Sequence, residues 1–231
     1  MPVSQEQIVE TAMRLLERDG LEGVSFRKLA GELGVSAPTL YWHVDSKRRL
    51  LDLMAERLMA GTHRRESLSP HPDELWWEWL ERRTSAMYDT LVSHRDAPRV
   101  VAGNRPTVAA LPAIESALAT LVEAGFAPAE AVEVIVMLGA FATGCALEMQ
   151  AEAERGLERH DSELGPAIRS GQFPTLLEAF AERHRRGEHV SLHSHMFDKG
   201  LDMIIAGLRA SVEAQSSAAT PVGVEVGAGD R

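Results

Sequence analysis

Apolar residues recur every three or four positions along most of this chain, the spacing that places them on one face of an α-helix. The first such stripe begins at Ile8, and Gly20 ends it. Longer helical stripes lie in residues 73–91, 108–124, 127–155 and 192–212. Because no segment shows the alternation expected of a β-strand, the pattern predicts an all-α protein.

Two short helices joined by a tight turn are predicted in residues 24–47. The first helix covers 27–33, and Gly34 follows it, where a helix end favours a residue that tolerates a left-handed backbone. Ser36 can cap the second helix through its hydroxyl, and Pro38 falls in the first turn, where a missing N–H is harmless. This arrangement predicts a helix–turn–helix, which places the start of its second helix in the DNA major groove.

The second helix leaves a surface of small, polar and aromatic residues that could face DNA: Ala37, Pro38, Thr39, Tyr41, Trp42 and His43. The flanking cations Arg27, Lys28, Lys47, Arg48 and Arg49 outnumber the acids Glu32 and Asp45. Cations beside an inserted helix are what contacts with DNA phosphates require. The alternative is an ordinary helical hairpin with a solvated basic face.

The loop-like run SLSPHP at 67–72 indicates a domain boundary. We therefore expect a helix–turn–helix domain in 1–47, a connecting helix in 48–66 and a helical body in 67–213. Residues 214–231 are rich in Ser, Ala, Gly and Val without helical period, so we expect them to be a disordered tail.

The formal net charge of −10 would by itself argue against a nucleic-acid binder, but the charge is unevenly distributed. Residues 1–65 carry ten Lys and Arg against nine Asp and Glu, whereas the remainder carries 14 against 25. A nearly neutral head on an acidic body suits a protein that touches DNA with one end only.

Several other classes of protein are not indicated. Cys145 is the only cysteine, which excludes an internal disulfide. We expect a cytoplasmic protein with no membrane partner, because neither a signal peptide nor an uncharged apolar run of membrane-spanning length is apparent. No metal or cofactor is expected, since the late histidines match no ligand spacing: His184, His189, His193 and His195. Catalytic motifs are also lacking, so an enzyme is only a minor alternative.

Three stretches resemble a known family. FRKLAGELGVSAPTLYWHVDSKRRLLD (26–52) is similar to the DNA-binding domain of the tetracycline-repressor (TetR) family of bacterial transcriptional regulators. LVSHRDAPRVVAGNRPT (91–107) and LGAFATGCALEMQAEAER (138–155) are similar to its regulatory domain. The resemblance implies a three-helix head, a body that binds a small-molecule effector, and a homodimer formed through helices 127–155 and 192–212. It also implies a repressor that the effector releases from a palindromic operator in double-stranded DNA.

The resemblance also implies which residues contact DNA. Base and groove contacts correspond to Arg27, Ala37, Pro38, Thr39 and Tyr41, and backbone contacts to Ser25, Trp42, His43 and Lys47. Lys28 is a further flanking cation. Arg27 is the expected reader of guanine. Ala37 stands where the tetracycline repressor has a glutamine, so the operator is expected to differ.

The effector pocket departs further from the family pattern. His63, Arg105, Pro106 and Glu148 match its pocket positions, whereas Arg83, Met87, Val101 and Ala117 do not. Val101 replaces a metal-binding histidine, and valine offers neither the oxygen nor the imidazole that magnesium needs. We therefore expect a hydrophobic or aromatic effector rather than a magnesium–tetracycline chelate. A ligand-binding scaffold without repressor activity, or an enzyme that uses the pocket, would be the alternatives.

Overall fold

A computed structural model describes residues 3–60, 68–157, 166, 170–186 and 195–218. Within these residues the chain forms helices and connecting turns without a strand, which confirms the predicted all-α class. The helices are α1 (Gln5–Asp19), α2 (Phe26–Leu33), α3 (Ala37–Tyr41), α4 (Lys47–Met59), α5 (Trp76–Ser93), α6 (Ala97–Val101), α7 (Leu111–Glu123), α8 (Pro128–Leu157), α9 (Pro174–Arg185) and α10 (Met196–Ala218). Short 3₁₀ turns lie at Leu21–Gly23 and Val108–Ala110.

Helix α1 begins at a capping box formed by Ser4 and Gln7. The Ser4 hydroxyl accepts the Gln7 N–H at 3.2 Å, and the Gln7 side chain accepts the Ser4 N–H at 3.0 Å. Two otherwise unpaired backbone donors are thereby satisfied. The apolar stripe of α1 packs against α2 and α4, and Ile8 and Leu16 are completely buried.

The core of the head continues into the body. Leu50 and Met54 of α4 belong to the same buried cluster as Ala97 and Val100 of α6 and Ala146 of α8. Removing apolar surface from water is the main favourable term in folding, so this shared cluster holds the two parts together. Packing is therefore continuous across the segment that the sequence analysis treats as a connecting helix.

A second buried cluster fills the body between α5, α7, α8 and α10. Trp79 and Leu121 lie at its centre and are completely buried. Phe197 of α10 stacks on Tyr88 of α5 with ring centroids 3.8 Å apart. Helix α10 can approach α8 closely because residue 200 is glycine: a Cβ atom there would lie 2.6 Å from a ring carbon of Phe141.

Helix α8 combines great length with an apolar composition. An 18-residue window within residues 128–155 has a mean hydropathy of 1.7, so by length and composition alone this helix could cross a membrane. A core helix of a soluble protein has the same properties, and α8 buries Val134 and Leu138 within the bundle. Its other side leaves Val136 64% exposed. Helix α8 thus has a second apolar face that the described part of the chain does not cover.

Helix α10 extends past the predicted end of the body at residue 213. It continues to Ala218, so the expected tail at 214–231 is wrong for its first residues. Two hydrogen bonds hold the added turn: the Ser217 hydroxyl donates to the Glu213 carbonyl within α10, and the Gln215 amide donates to Glu130 of α8. Residues 219–231 lie outside the described part of the chain.

Candidate DNA-binding surface and effector site

The turn between α2 and α3 fixes the direction of α3. Gly34 adopts a left-handed conformation (φ 66°, ψ 30°), which glycine reaches without strain. The following N–H, from Val35, donates to the Ala30 carbonyl at 3.0 Å. Leu40 and Val44 are completely buried under α3. The buried side of α3 is thus anchored in the core of the head, while its opposite side faces solvent.

The exposed side of this motif contains most of the predicted DNA contacts. Arg27, Lys28, Pro38, Tyr41, Trp42, His43 and Lys47 are exposed, and Ser25, Ala37 and Thr39 are half-buried. Trp42 leaves 90% of its surface in solvent. Tyr41 stacks on Phe26, with ring centroids 4.4 Å apart and planes inclined by 14°. Phe26 was not among the predicted site residues, although an aromatic residue beside Arg27 could have suggested this support.

The structure corrects the predicted role of the Ser36 side chain. Its hydroxyl does not cap α3; it pairs with the Thr39 hydroxyl at 2.8 Å, while the Ser36 carbonyl accepts the Thr39 N–H. The Ser25 hydroxyl does cap α2, accepting the Lys28 N–H at 3.3 Å. Two of the predicted DNA-contacting side chains, Ser25 and Thr39, therefore already take part in local hydrogen bonds.

Lys28 is also engaged within the head. Its ammonium lies 3.1 Å from Asp19, whose carboxylate also binds Arg18. Hydrogen bonds from Arg18 and Lys28 lower the pKa of the Asp19 carboxyl to about 2, so it stays ionised at neutral pH. A DNA phosphate would have to compete with this carboxylate for Lys28. We therefore expect Lys28 to contribute less to DNA affinity than a cation without such a partner.

Three of the predicted effector residues belong to the two buried clusters or pack against them. Val101 belongs to the cluster shared with the head, Ala117 belongs to the body cluster, and the partly buried Met87 packs against both. Arg83 lies over the Trp79 ring, 5.8 Å from its centroid, and burial lowers the pKa of its guanidinium. A guest molecule at the junction of the two clusters would contact both.

The remaining predicted effector residues are less buried. Arg105, Pro106 and Glu148 are exposed, and the Arg105 N–H donates to Asp52 of α4 at 3.2 Å. His63 lies outside the described residues. Met87 packs against both clusters, whereas Val101 and Ala117 lie in different ones. Of the polar candidates, Arg83 is half-buried, and Arg105 and Glu148 are exposed.

Magnesium does not fit the residues that surround position 101. Val101 is buried beside Ala97 and Val100, whose side chains are hydrocarbon. Among the described residues, no three His, Cys, Asp or Glu side chains are grouped so that they could hold a metal ion. A hard divalent cation requires oxygen or imidazole ligands, and this wall supplies none.

A separate cleft of about 1090 Å³ opens between α1, α4 and α5. Its walls combine charged side chains, including Arg14, Glu17 and Arg57, with the apolar Met13 and Leu58. Of the predicted effector residues that the structure describes, none lines it. This cleft could not be predicted from the sequence, because its walls come from three helices, of which α5 is distant in sequence from α1 and α4.

Comparisons with known proteins agree with this architecture. Residues 8–54 match the model for bacterial regulatory proteins of the tetR family, and residues 69–212 match the tetracyclin repressor-like C-terminal domain. The tetracycline repressor protein class C of Escherichia coli is 31% identical over 206 residues, covering 89% of this chain and 90% of that protein.

Two solved structures are similar over nearly the whole chain. ActR of Streptomyces coelicolor in complex with actinorhodin is 28% identical with a TM-score of 0.76, covering 92% of this chain and 99% of that one. TetR (class A) in complex with 5a,6-anhydrotetracycline and magnesium is 27% identical with a TM-score of 0.66, covering 90% and 99%. The tetracycline repressor and ActR are regulators and not enzymes. Since both the head and the body match its models, this chain belongs to the tetR family of bacterial regulatory proteins and is a ligand-responsive transcriptional regulator with a helix–turn–helix.

Proposed function

We propose that this protein is a homodimeric repressor that holds a palindromic operator through α3 of each subunit and releases it when an apolar or aromatic effector binds the body. The observation that carries the proposal is the surface of α3. Its inner side is anchored by the completely buried Leu40, while Tyr41 and Trp42 project from the outer side. Such a surface is preorganised to enter a groove without rearrangement.

The proposed DNA contacts divide by chemistry. Arg27 is exposed, and its guanidinium can bind the O6 and N7 atoms of guanine with two hydrogen bonds. Thr39, Tyr41, Ala37 and Pro38 would contact base edges or the groove wall. Ser25, Lys28, Trp42, His43 and Lys47 would donate to phosphates or sugars, which positions the head but reads no sequence.

A dimer follows from the uncovered faces of α8 and α10. Val136 of α8 is 64% exposed and Met203 of α10 is 68% exposed. Pairing these faces across a twofold axis would bury them and place two heads on one side of a duplex. Half-sites one helical turn apart require the two recognition helices to lie about 34 Å apart. An effector that favours another spacing would release the DNA.

The proposed effector site lies between the two buried clusters. Met87, Val101 and Ala117 would form its apolar wall, and Arg83, Arg105, Glu148 or His63 would orient a polar group of the ligand, with Pro106 at the edge. ActR and class A TetR, whose structures hold small molecules, give a precedent for an effector in this fold. The hydrocarbon side chain of Val101 favours a ligand that binds without magnesium.

The DNA proposal can be tested by selection from a library of random duplexes with the purified full-length protein. We expect a palindrome to be enriched, with affinity that falls steeply as salt rises. Arg27→Ala and Tyr41→Ala should each weaken binding to that palindrome by about 1–3 kcal/mol. Arg185→Ala, on the exposed surface of α9, is the matched control and should have no effect. Unchanged affinity in both head variants would show that α3 is not the reading surface.

The effector proposal can be tested by calorimetry with tetracycline in the presence and absence of magnesium. We expect no tight, magnesium-dependent binding, because residue 101 cannot coordinate the ion. Tight binding that needs magnesium would contradict the assignment of an apolar pocket wall at Val101.

A further inference from the structure

One side chain of α8 closes the turn at the end of α5. The Gln150 amide nitrogen donates to the carbonyls of Leu91 and His94, at 3.0 and 2.8 Å. Its amide oxygen accepts the Asp96 N–H at 3.2 Å. A single glutamine thus satisfies three backbone groups of the turn, which a side chain with only donors or only acceptors could not do.

Asp96, at the end of this turn, contacts the head directly. Its carboxylate accepts the Leu21 N–H at 2.8 Å and binds the Arg99 guanidinium at 3.0 Å. Burial alone would raise the pKa of Asp96, but the Leu21 N–H and Arg99 lower it below its ordinary value, so the carboxyl is charged at neutral pH. The approach requires Gly20, because a Cβ atom there would lie 2.9 Å from the carboxylate.

The conformation of Asp96 is itself unusual. With φ 56° and ψ 9°, it is the one non-glycine residue with a positive φ in the described part of the chain. Such conformations are sparsely populated and persist where surrounding contacts fix them. Here the Gln150 oxygen holds the backbone of Asp96, while Leu21 and Arg99 hold its side chain.

The rest of the same segment adds contacts with the head. His94 lies 2.7 Å from Glu17, Arg95 donates to the Arg18 carbonyl at 3.1 Å, and Arg99 lies 2.8 Å from Glu22. Residues 94–99 therefore hold the end of α1 and the turn that follows it. Helix α6, which begins at Ala97 and ends at Val101, joins this segment to the proposed effector site.

We propose that Gln150 is a positioning residue: by fixing the 94–96 turn, it sets the orientation of the DNA-binding head relative to helix α8. The inference rests on the proposed function, in which α8 lies in the dimer interface and the spacing of the heads determines operator affinity. Gln150 of α8 binds the backbone of Asp96, and the Asp96 side chain binds Leu21 of the head. These two hydrogen bonds would link the helix that joins the two subunits to each head.

The test replaces Gln150 with methionine, which has a similar length but can make none of the three hydrogen bonds. Glu6→Cys, an exposed position of α1, carries a spin label on each head in a Cys145→Ala background. We expect a narrow distribution of head–head distances in the parent dimer and a broad one in Gln150→Met. Operator affinity should fall about tenfold, because heads that are free to move must be ordered on binding.

Two further variants make the result specific. Ser93→Ala removes a hydrogen bond confined to α5, from the Ser93 hydroxyl to the Thr90 carbonyl, and should leave distances and affinity unchanged. Asp96→Gly removes the carboxylate but tolerates the positive φ, and should broaden the distances as Gln150→Met does. The double variant Gln150→Met/Asp96→Gly should bind the operator no more weakly than Asp96→Gly alone, since both residues act through one contact.

The outcomes separate this inference from the proposed function. Parent-like distances and affinity in Gln150→Met would overturn the inference alone. If Gln150→Met abolishes the dimer, Asp96→Gly decides: broad distances support the positioning role, and narrow distances overturn it. A parent protein that is monomeric or selects no palindrome would overturn the proposed function and this inference with it.

Discussion

Large aromatic side chains are mostly buried in proteins, yet Trp42 is 90% exposed next to the stacked pair Tyr41 and Phe26. The stack gives Tyr41 a fixed position without burying it. Trp42 has no comparable role in the core of the head, and its indole N–H is a donor suited to a phosphate oxygen. At the scale of single residues, exposure is therefore the property that separates binding from packing.

Trp42→Ala should leave the free energy of unfolding within about 0.5 kcal/mol of the parent value, because the ring contributes little to the core. It should lower the affinity for the operator and for a scrambled duplex by the same factor, since a phosphate contact does not depend on base sequence. Chemical denaturation and fluorescence anisotropy on the two duplexes measure both effects. A loss confined to the operator would instead assign Trp42 to base reading.

At the scale of helices and turns, the sequence predicts much of the head for identifiable reasons. Helical periodicity and Gly34 are local signals, and the structure has helices and a left-handed Gly34 where they were predicted. The Ser36 hydroxyl was assigned wrongly because Thr39 offers it a competing partner one turn away. Composition suggested that the tail begins at 214, but α10 continues to Ala218, with a hydrogen bond from Gln215 to Glu130 of α8.

Other features could not be predicted because they join residues distant in sequence. Gln150 meets the turn at 94–96 only after α8 has packed against α5 and α6. The division of Val101 and Ala117 between two buried clusters likewise depends on tertiary packing. A resemblance supplied these two positions as pocket candidates, but their arrangement needed the fold.

Gly34 and Gly31 of the helix–turn–helix are two glycines whose substitution by alanine can be compared. A Cβ atom would meet nothing within 4 Å at either position, but only Gly34 has a positive φ. Gly34→Ala should therefore destabilise the protein by about 1 kcal/mol. Gly31→Ala, inside α2, should stabilise it by about 0.5–1 kcal/mol. The midpoint of urea unfolding reports both changes, and equal midpoints would show that the backbone strain at residue 34 is unimportant.

At the scale of the whole molecule, α8 and α10 each have one face in the bundle and another in solvent. The solvent faces carry Val132, Val136, Met137 and Met203, each more than 40% exposed. Exposed apolar residues that recur on one helix, as Val132 and Val136 do one turn apart, are typical of an interaction site. In a tetR-family regulator, a second copy of the chain is the partner that would make such a surface useful.

Met203→Asp should convert the dimer to a monomer, because a carboxylate enclosed in an apolar interface without a partner is strongly unfavourable. The monomer should also bind the operator much more weakly, since one head contacts too few base pairs. Val108→Asp is the matched control: Val108 is 83% exposed but lies on neither helix, and this change should leave the mass unaltered. Sedimentation equilibrium distinguishes the two masses, and a dimeric Met203→Asp protein would contradict the proposed interface.

The apolar cluster that joins α4 to α6 has a consequence for engineering. A transplanted fragment that ended after α4 would expose Leu50 and Met54, which in the intact chain pack in one cluster with Ala97 and Val100. In a chimeric regulator made by exchanging residues 1–60 alone, α4 of one protein would thus pack against α6 of another, and the two apolar surfaces would not be complementary. A functional exchange would have to include the α6 side chains that pack against the transplanted α4.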